Sequence, residues 1–303
     1  MSWNIAAGCA AAVAAALIGA CWQIGSRHAV GTTLGPFELS LLRYVTPGLL
    51  LAPVALQAWS TLRGLGWTHA LLIACGGGLP FGLLVLAGAQ FAPASHIGVF
   101  MAGAMPLFAA LASRAAEGEV LTLARIAGLG AIASGVLAMG WSASGGPGAW
   151  RGDLLFLGAA ALWAVYTVAF RRSGLTAWQG AAVCNTGSAL VLLAALPLAG
   201  TGRLLDAPLQ QLAAQFLLQG VFAGLLGLVT YMVAVRRLGS SRAALSAAAV
   251  PVLTAAGGFA FLGEALHAAD AVAIALVAGG VLLASGAVTL RPWTSSTTSS
   301  GTR

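Results

Sequence analysis

Charge is nearly missing from this sequence. Of its 303 residues only 7% are Asp, Glu, Lys or Arg, and lysine does not occur at all. A soluble domain surface carries about 25–35% of these residues, so a soluble protein of this length is excluded. Cysteine is sparse: Cys9, Cys21, Cys75 and Cys184 each sit inside an apolar stretch, without CxxC or paired spacing. That excludes a disulfide framework and a cysteine-ligated zinc site, and leaves the four as packing residues. HExxH and GxxxxGK patterns are also absent, which removes the usual metalloprotease and phosphate-loop chemistries. No cofactor or metal is expected.

What remains is apolar. Hydrophobic residues make up 59% of the chain before its 41 glycines are counted, and the mean hydropathy is +0.94. Apolar runs of about 20 residues are the length that crosses a bilayer as a helix. Ten fit: Ile5–Gly25, Phe37–Ala58, Ala70–Phe91, Ser95–Ala115, Ala124–Trp141, Gly152–Phe170, Trp178–Leu198, Ala213–Val235, Ala243–Leu262 and Ala269–Leu290. The sequence Ile18-Gly19-Ala20-Cys21 has the look of a lipoprotein cleavage site. The first basic residue is Arg27, however, and a secretory signal needs positive charge before its apolar run, so the first run is read as a retained helix.

The net charge of +7 comes from fourteen arginines against seven acids, spread singly or in pairs between the runs. That pattern reads as topology and not as a nucleic-acid surface. One side of the ten spans carries Arg63, Arg114, Arg125, Arg171, Arg172, Arg236, Arg237, Arg242, Arg291 and Arg303. The other carries Arg27, Arg151 and Arg203. Positive charge accumulates in the cytoplasm, so both termini are expected there.

The chain repeats itself. A shift of 145 residues lays Gly76–Met139 on Val221–Ala284 without a gap, with 17 of 64 positions identical. Alanine inflates that score, but Ser95 meets Ser240, Pro106 meets Pro251, Gly118-Glu119 meets Gly263-Glu264, and Gly135-Val136-Leu137 meets Gly280-Val281-Leu282. The expected organisation is 1–141 as a first five-helix repeat, 142–151 as a Ser/Gly/Pro linker, 152–290 as a second repeat and 291–303 as a disordered cytoplasmic tail. Five is odd, so the second copy enters the membrane from the opposite side. Inverted repeats of this kind typify alternating-access carriers, with the site near the midplane between the halves.

The Ser, Pro and Gly-Glu pattern in both halves, Arg43 in the second span, and Gly152-Asp153-Leu154 followed by Trp163 and Tyr166 resemble the EamA-type, ten-helix members of the drug/metabolite transporter superfamily. The resemblance spans about Ile5 to Leu290. It implies an all-α membrane fold in which four spans of each half surround a central cavity and the fifth packs peripherally. It also implies export of small metabolites from a bacterial inner membrane, with amino acids, including aromatic ones, as the leading class. Alternatives within the same superfamily are a drug or nucleotide-sugar carrier, or a proton-coupled antiporter. The partners expected are a small-molecule substrate and the lipid bilayer, with no nucleic acid; the oligomeric state is left open, a monomer being compatible with the sequence.

Particular residues follow from the cost of burying polarity in lipid. Charges at midspan are expensive and usually functional. Arg43 lies about two turns into its span, where its forked donors suit either a substrate carboxylate or a structural partner. Gln23, Trp163, Tyr166 and Asn185 carry polar atoms that should point inward, Trp22 adjoins Gln23, and Met101 corresponds to Ser246 under the repeat. For each of these, substrate contact and plain packing are both open. Pro106 and Pro251 weaken one helical turn apiece and are the candidate hinges. Glu119 and Glu264 are read as holding loop and helix ends. With no midspan carboxylate, facilitated export without obligatory proton coupling is expected. Ser95-His96 and Ser144-Gly145 form no recognisable dyad by spacing, and catalysis is not expected. Gly78-x-x-x-Gly82 and Gly220-x-x-x-Gly224 are candidate close-packing faces.

Overall fold

A computed structural model describes residues 3–118, 120–142, 144–200, 202–238 and 240–286. The 291–303 tail and Glu119 lie outside that set. Eight helices are long and apolar enough to cross a membrane, and two shorter apolar ones follow them. They are α1 (Trp3–Val30), α2 (Pro36–Leu65), α3 (Trp67–Gly88), α4 (Ala94–Ala116), α5 (Leu123–Ser142), α6 (Ala149–Ser173), α7 (Ala177–Ala199), α8 (209–238), α9 (Ser240–Leu262) and α10 (Ala268–Ala284). Large apolar side chains such as Leu50, Leu56, Leu190 and Phe261 are turned outward, which suits a molecule solvated by lipid.

Helix ends follow local chemistry. Pro36 opens α2, with Glu38 accepting the Gly35 N–H at 2.9 Å, so Glu38 caps its own helix and does not pair with Arg43. Thr176 and Gln179 cap α7 reciprocally, the arrangement that satisfies two otherwise orphaned amides. Gly118 and Gly263 are repeat mates and both have φ of +66°. A left-handed residue at these two helix ends explains why each Gly-Glu pair begins with glycine. The repeat is thus visible in the backbone itself.

Helix neighbours obey the same two-fold relation. The mates α5 and α10 pack on each other, as do α2 and α7; α1 packs on α8 and α9, mirrored by α6 on α3 and α4. Close approach depends on glycine where backbones meet. A Cβ on Gly220 would lie 2.8 Å from the Leu42 carbonyl oxygen, and one on Gly224 would lie 3.0 Å from that of Arg43. Gly78 and Gly82 similarly press against α7 and α2. Both small-residue motifs are therefore packing faces.

Some spans depart from regular helix. α3 is broken at Gly78 into Trp67–Gly77 and Leu79–Gly88. Neighbours satisfy the freed groups: Tyr44 Oη donates to the Gly78 carbonyl at 2.8 Å, and the Leu79 N–H donates to Ser188 Oγ at 2.8 Å. In lipid such a break is tolerated only where protein groups replace the lost bonds. α8, the mate of α3, is π-helical over Phe216–Leu226, which includes the position equivalent to Gly78. α4 is π-helical over Ile97–Gly103, whereas its mate α9 is α-helical throughout. The two halves share topology but differ in this turn.

Candidate functional site

A central cavity of about 260 Å³ lies between the two halves. Residues of α1, α2, α3, α4, α6, α7, α8 and α9 line it, and none from α5 or α10 does. The fifth helix of each half is thus peripheral. Trp22, Gln23, Arg43, Met101, Trp163, Tyr166 and Asn185 all reach the cavity wall. Ser246 does not: it borders a separate apolar groove between α1 and α9 with Cys9, Ala12 and Leu253, and its neighbour Ala247 occupies the cavity wall instead. One residue turns a helix by about 100°, so a repeat alignment correct in register still misassigns the face.

An aromatic wall runs along one side of the cavity. Trp22 stacks on Phe81 with ring centroids 6.2 Å apart, Phe81 meets Trp163 at 5.2 Å, and Trp163 meets Tyr166 at 5.1 Å. Arg43 stands at its end, with the guanidinium carbon 4.3 Å from the Trp22 ring centroid. That cation–π contact offsets part of the cost of burial. The hydrogen-bonding potential of the guanidinium is another matter, because Nε and Nη1 are buried without a hydrogen-bond partner. Buried donors left unmade are costly and uncommon in native structures. No carboxylate lines the cavity among the described residues.

Toward the end of the bundle that bears Val30 and Pro36, a polar network adjoins the cavity residues Trp22 and Gln23. Trp22 Nε1–H donates to Gln219 Oε1 at 2.7 Å, and Gln219 Nε2–H donates to Ser26 Oγ at 2.9 Å. Thr254 Oγ1–H donates to Gln23 at 3.1 Å. Further out, Arg27 Nε–H donates to Glu264 Oε1 at 3.0 Å and Nη1–H to the Ala89 carbonyl at 2.6 Å, while Glu264 Oε2 accepts the Ala94 N–H at 2.8 Å. Glu264 thus ties α1 and the start of α4 to the α9–α10 loop. If this pair holds the gate shut, Glu264→Gln increases severalfold the labelling of cavity-lining Cys184 by a membrane-impermeant thiol reagent added from that side. Mass spectrometry of the Cys184 peptide reads the change, and unchanged labelling would show that the pair is no gate.

Sequence spacing missed two features here. Gln219 is fully buried behind the cavity residue Trp22; a polar residue inside an apolar run was the available signal, the same one that marks Gln23. His96 is buried, with Nδ1 2.7 Å from Asp153 Oδ1 and Nε2 3.2 Å from Ser144 Oγ. Ser142 continues the chain to Ser144 and to Asp270, each at 3.2 Å. These groups come from four parts of the chain, so no linear motif announces them. They lie outside the cavity lining and bind the linker to α4, α6 and α10. Cys184 borders the cavity, its Sγ donating to the Ile73 carbonyl at 3.2 Å.

Ten apolar helices in two related sets of five, enclosing a midspan cavity that holds one cation and an aromatic wall, define a multi-pass membrane transporter. The EamA-like transporter family matches this chain twice, over residues 6–141 and 150–286, and the protein belongs to that family. A solved crystal structure, described only as that of a protein, is 27% identical with a TM-score of 0.55, covering 89% of this chain and 95% of its own. No curated protein matches.

Proposed function

We propose that this transporter exports small carboxylate-bearing metabolites across the bacterial inner membrane, with amino acids as the leading class and aromatic ones favoured within it. The observation that carries the reading is Arg43, whose Nε and Nη1 lack partners at the end of the Trp22–Phe81–Trp163–Tyr166 wall. A carboxylate supplies the charged acceptors that a guanidinium prefers. The aromatic faces supply offset stacking for an aryl side chain. A volume of about 260 Å³ falls just below the roughly 300–1,000 Å³ of pockets for drug-sized ligands. That suits an amino acid better than a sugar nucleotide, whose several negative charges would also want more than one arginine.

Alternating access is the mechanism this reading entails. The cavity extends from the level of Trp22 and Arg43 past Ala15, Tyr166 and Tyr231 toward the end that bears the termini, while the Gln219 and Glu264 networks close the other end. With the termini cytoplasmic, as the arginine distribution indicates, the conformation described is closed to the outside. Pro106 and Pro251 act as hinges, and the π-helical turn carried by α4 but not α9 supports unequal bending of the halves. Transport is facilitated and carries no obligatory proton, in keeping with a cavity wall that has no carboxylate among the described residues.

Counterflow in proteoliposomes tests the function. Unlabelled amino acids loaded inside accelerate entry of labelled phenylalanine over empty liposomes. Folded protein that exchanges no amino acid would sink the reading.

A further inference from the structure

An amino acid brings a positive ammonium as well as a carboxylate, and no acidic side chain lines the cavity among the described residues. The ammonium must therefore meet neutral oxygen. Several side-chain groups are already engaged: Gln23 Oε1 accepts from Thr254, Tyr44 donates to Gly78, and Asn185 Nδ2–H donates to the Ala181 carbonyl at 2.8 Å. That leaves Asn185 Oδ1 among these side chains, and backbone carbonyls beside it. In a helix a proline at position i has no N–H, so the carbonyl at i−4 loses its regular donor.

Six prolines lie within or at the start of transmembrane helical segments beyond the first turn of α2, and each frees one such carbonyl. Pro53 and Pro197 free those of Leu49 and Leu193, which face outward. Pro80 frees that of Gly76, which is buried against Leu162 and Tyr166 and does not line the cavity. Pro47 frees that of Arg43, but Gly224 of α8 covers it. Pro251 frees that of Ala247; Ala102 lies in the π-helical turn, where the donor five residues on, Leu107 N–H, is turned instead to the Ala104 carbonyl at 3.0 Å, and Pro106 has no amide to offer in its place. Ala102 and Ala247 are repeat mates, both line the cavity and both are partly exposed. Deprived of a helical donor, a carbonyl at membrane depth is tolerated where it lines a cavity, and such carbonyls are natural ligands for cations.

We propose that the carbonyl oxygens of Ala102 and Ala247, freed by Pro106 and Pro251, form the subsite for the substrate's ammonium group. The inference rests on the reading that the cavity binds a carboxylate at Arg43. Together they make a zwitterion receptor of one cation and two symmetry-related backbone acceptors, with the aromatic wall between α1 and α6 receiving the side chain. The prolines then contribute to specificity as well as to bending. A proline-to-alanine change returns the missing N–H and removes the free acceptor.

The test compares phenylalanine with 3-phenylpropanoate, which lacks only the ammonium, in counterflow by the same proteoliposomes. A ratio of half-saturation concentrations within one preparation is insensitive to the fraction of protein that is folded. Wild-type protein prefers phenylalanine. Pro106→Ala/Pro251→Ala loses that preference by about tenfold or more, as expected for hydrogen bonds to a charged group, and holds 3-phenylpropanoate within about twofold. An unchanged preference overturns the subsite. So does an equal loss for both substrates, which is the signature of a hinge alone. Loss of the preference in Asn185→Leu, with the proline variant unaffected, would assign the ammonium to Asn185 instead. Wild-type protein that carries neither compound, or an Arg43→Gln protein that carries both normally, overturns the carboxylate reading and the subsite with it.

Discussion

Arg43→Gln reduces carboxylate counterflow by about a hundredfold while leaving thermal stability unchanged or slightly raised. Two charge-assisted hydrogen bonds in a shielded site, each worth roughly 1.5–3 kcal/mol, account for a loss of that size. Stability responds differently because the wild-type residue is not well satisfied. Its Nε and Nη1 are buried without partners, and the compensation is contact with the rings of Trp22 at 4.3 Å and Tyr44 at 5.3 Å. Removing a charge of that kind relieves desolvation about as much as it forfeits cation–π attraction. Arg43→Lys should recover only part of the transport, since a single ammonium keeps the charge but loses the fork. Counterflow and a thermal unfolding scan on the same preparations separate the possibilities. A large fall in unfolding temperature with transport of all solutes reduced alike would make Arg43 a structural residue.

Gly280→Leu prevents folding of the protein, whereas Gly279→Leu is tolerated. A Cβ on Gly280 would lie 2.6 Å from the Gly128 carbonyl oxygen and 2.8 Å from the Ile132 nitrogen. One on Gly128 would lie 2.5 Å from the Ala284 nitrogen and 2.7 Å from the Gly280 carbonyl oxygen. These neighbours are backbone, so no side chain can rotate out of the way. The larger residue must push α5 and α10 apart along their whole contact. Ordinary overpacking costs about 1–3 kcal/mol, and separating a backbone-to-backbone interface should exceed that. Nothing lies within 4 Å of the corresponding position on Gly279, which makes it a control on the same helix. Size-exclusion of detergent-solubilised protein reports the folded fraction, and a monodisperse Gly280→Leu protein of wild-type stability would contradict the packing argument. Because α5 and α10 contribute nothing to the cavity wall, Gly279→Leu should also transport normally.

The contrast between these two sites shows what a linear sequence can carry. Arg43 stood out because one charge in an apolar run is legible without any neighbour in view. Gly280 belonged to a repeated Gly-Val-Leu, but its pairing with Gly128, 152 positions earlier in the chain, depends on how two helices are set side by side. Ser246 and Ala247 make the same point at finer grain. The repeat placed the right turn of α9 opposite Met101, yet the face presented to the cavity depends on rotation about the helix axis, which packing decides. The His96, Asp153 and Ser144 cluster joins residues separated by 57 and 48 positions. No spacing rule links them, because the linker must first fold back across the adjoining ends of α4 and α6.

By itself the sequence determined the solvent, the number of the spans and the duplication. The first two depend on transfer of residues into lipid, which is nearly additive along the chain. It also determined that Gly118 and Gly263 end their helices alike, since a left-handed helix end is a local requirement for glycine. Only the tertiary structure decided which polar groups share the cavity, that Arg43 stands over Trp22 with donors unmet, that Gln219 bonds Trp22 and Ser26, and that Glu264 fastens α1 to the second half. Those are contacts between surfaces distant in sequence, and among lipid-solvated helices they are selected by close van der Waals fit and by the need to satisfy every buried polar atom. Neither condition can be evaluated until both surfaces are present.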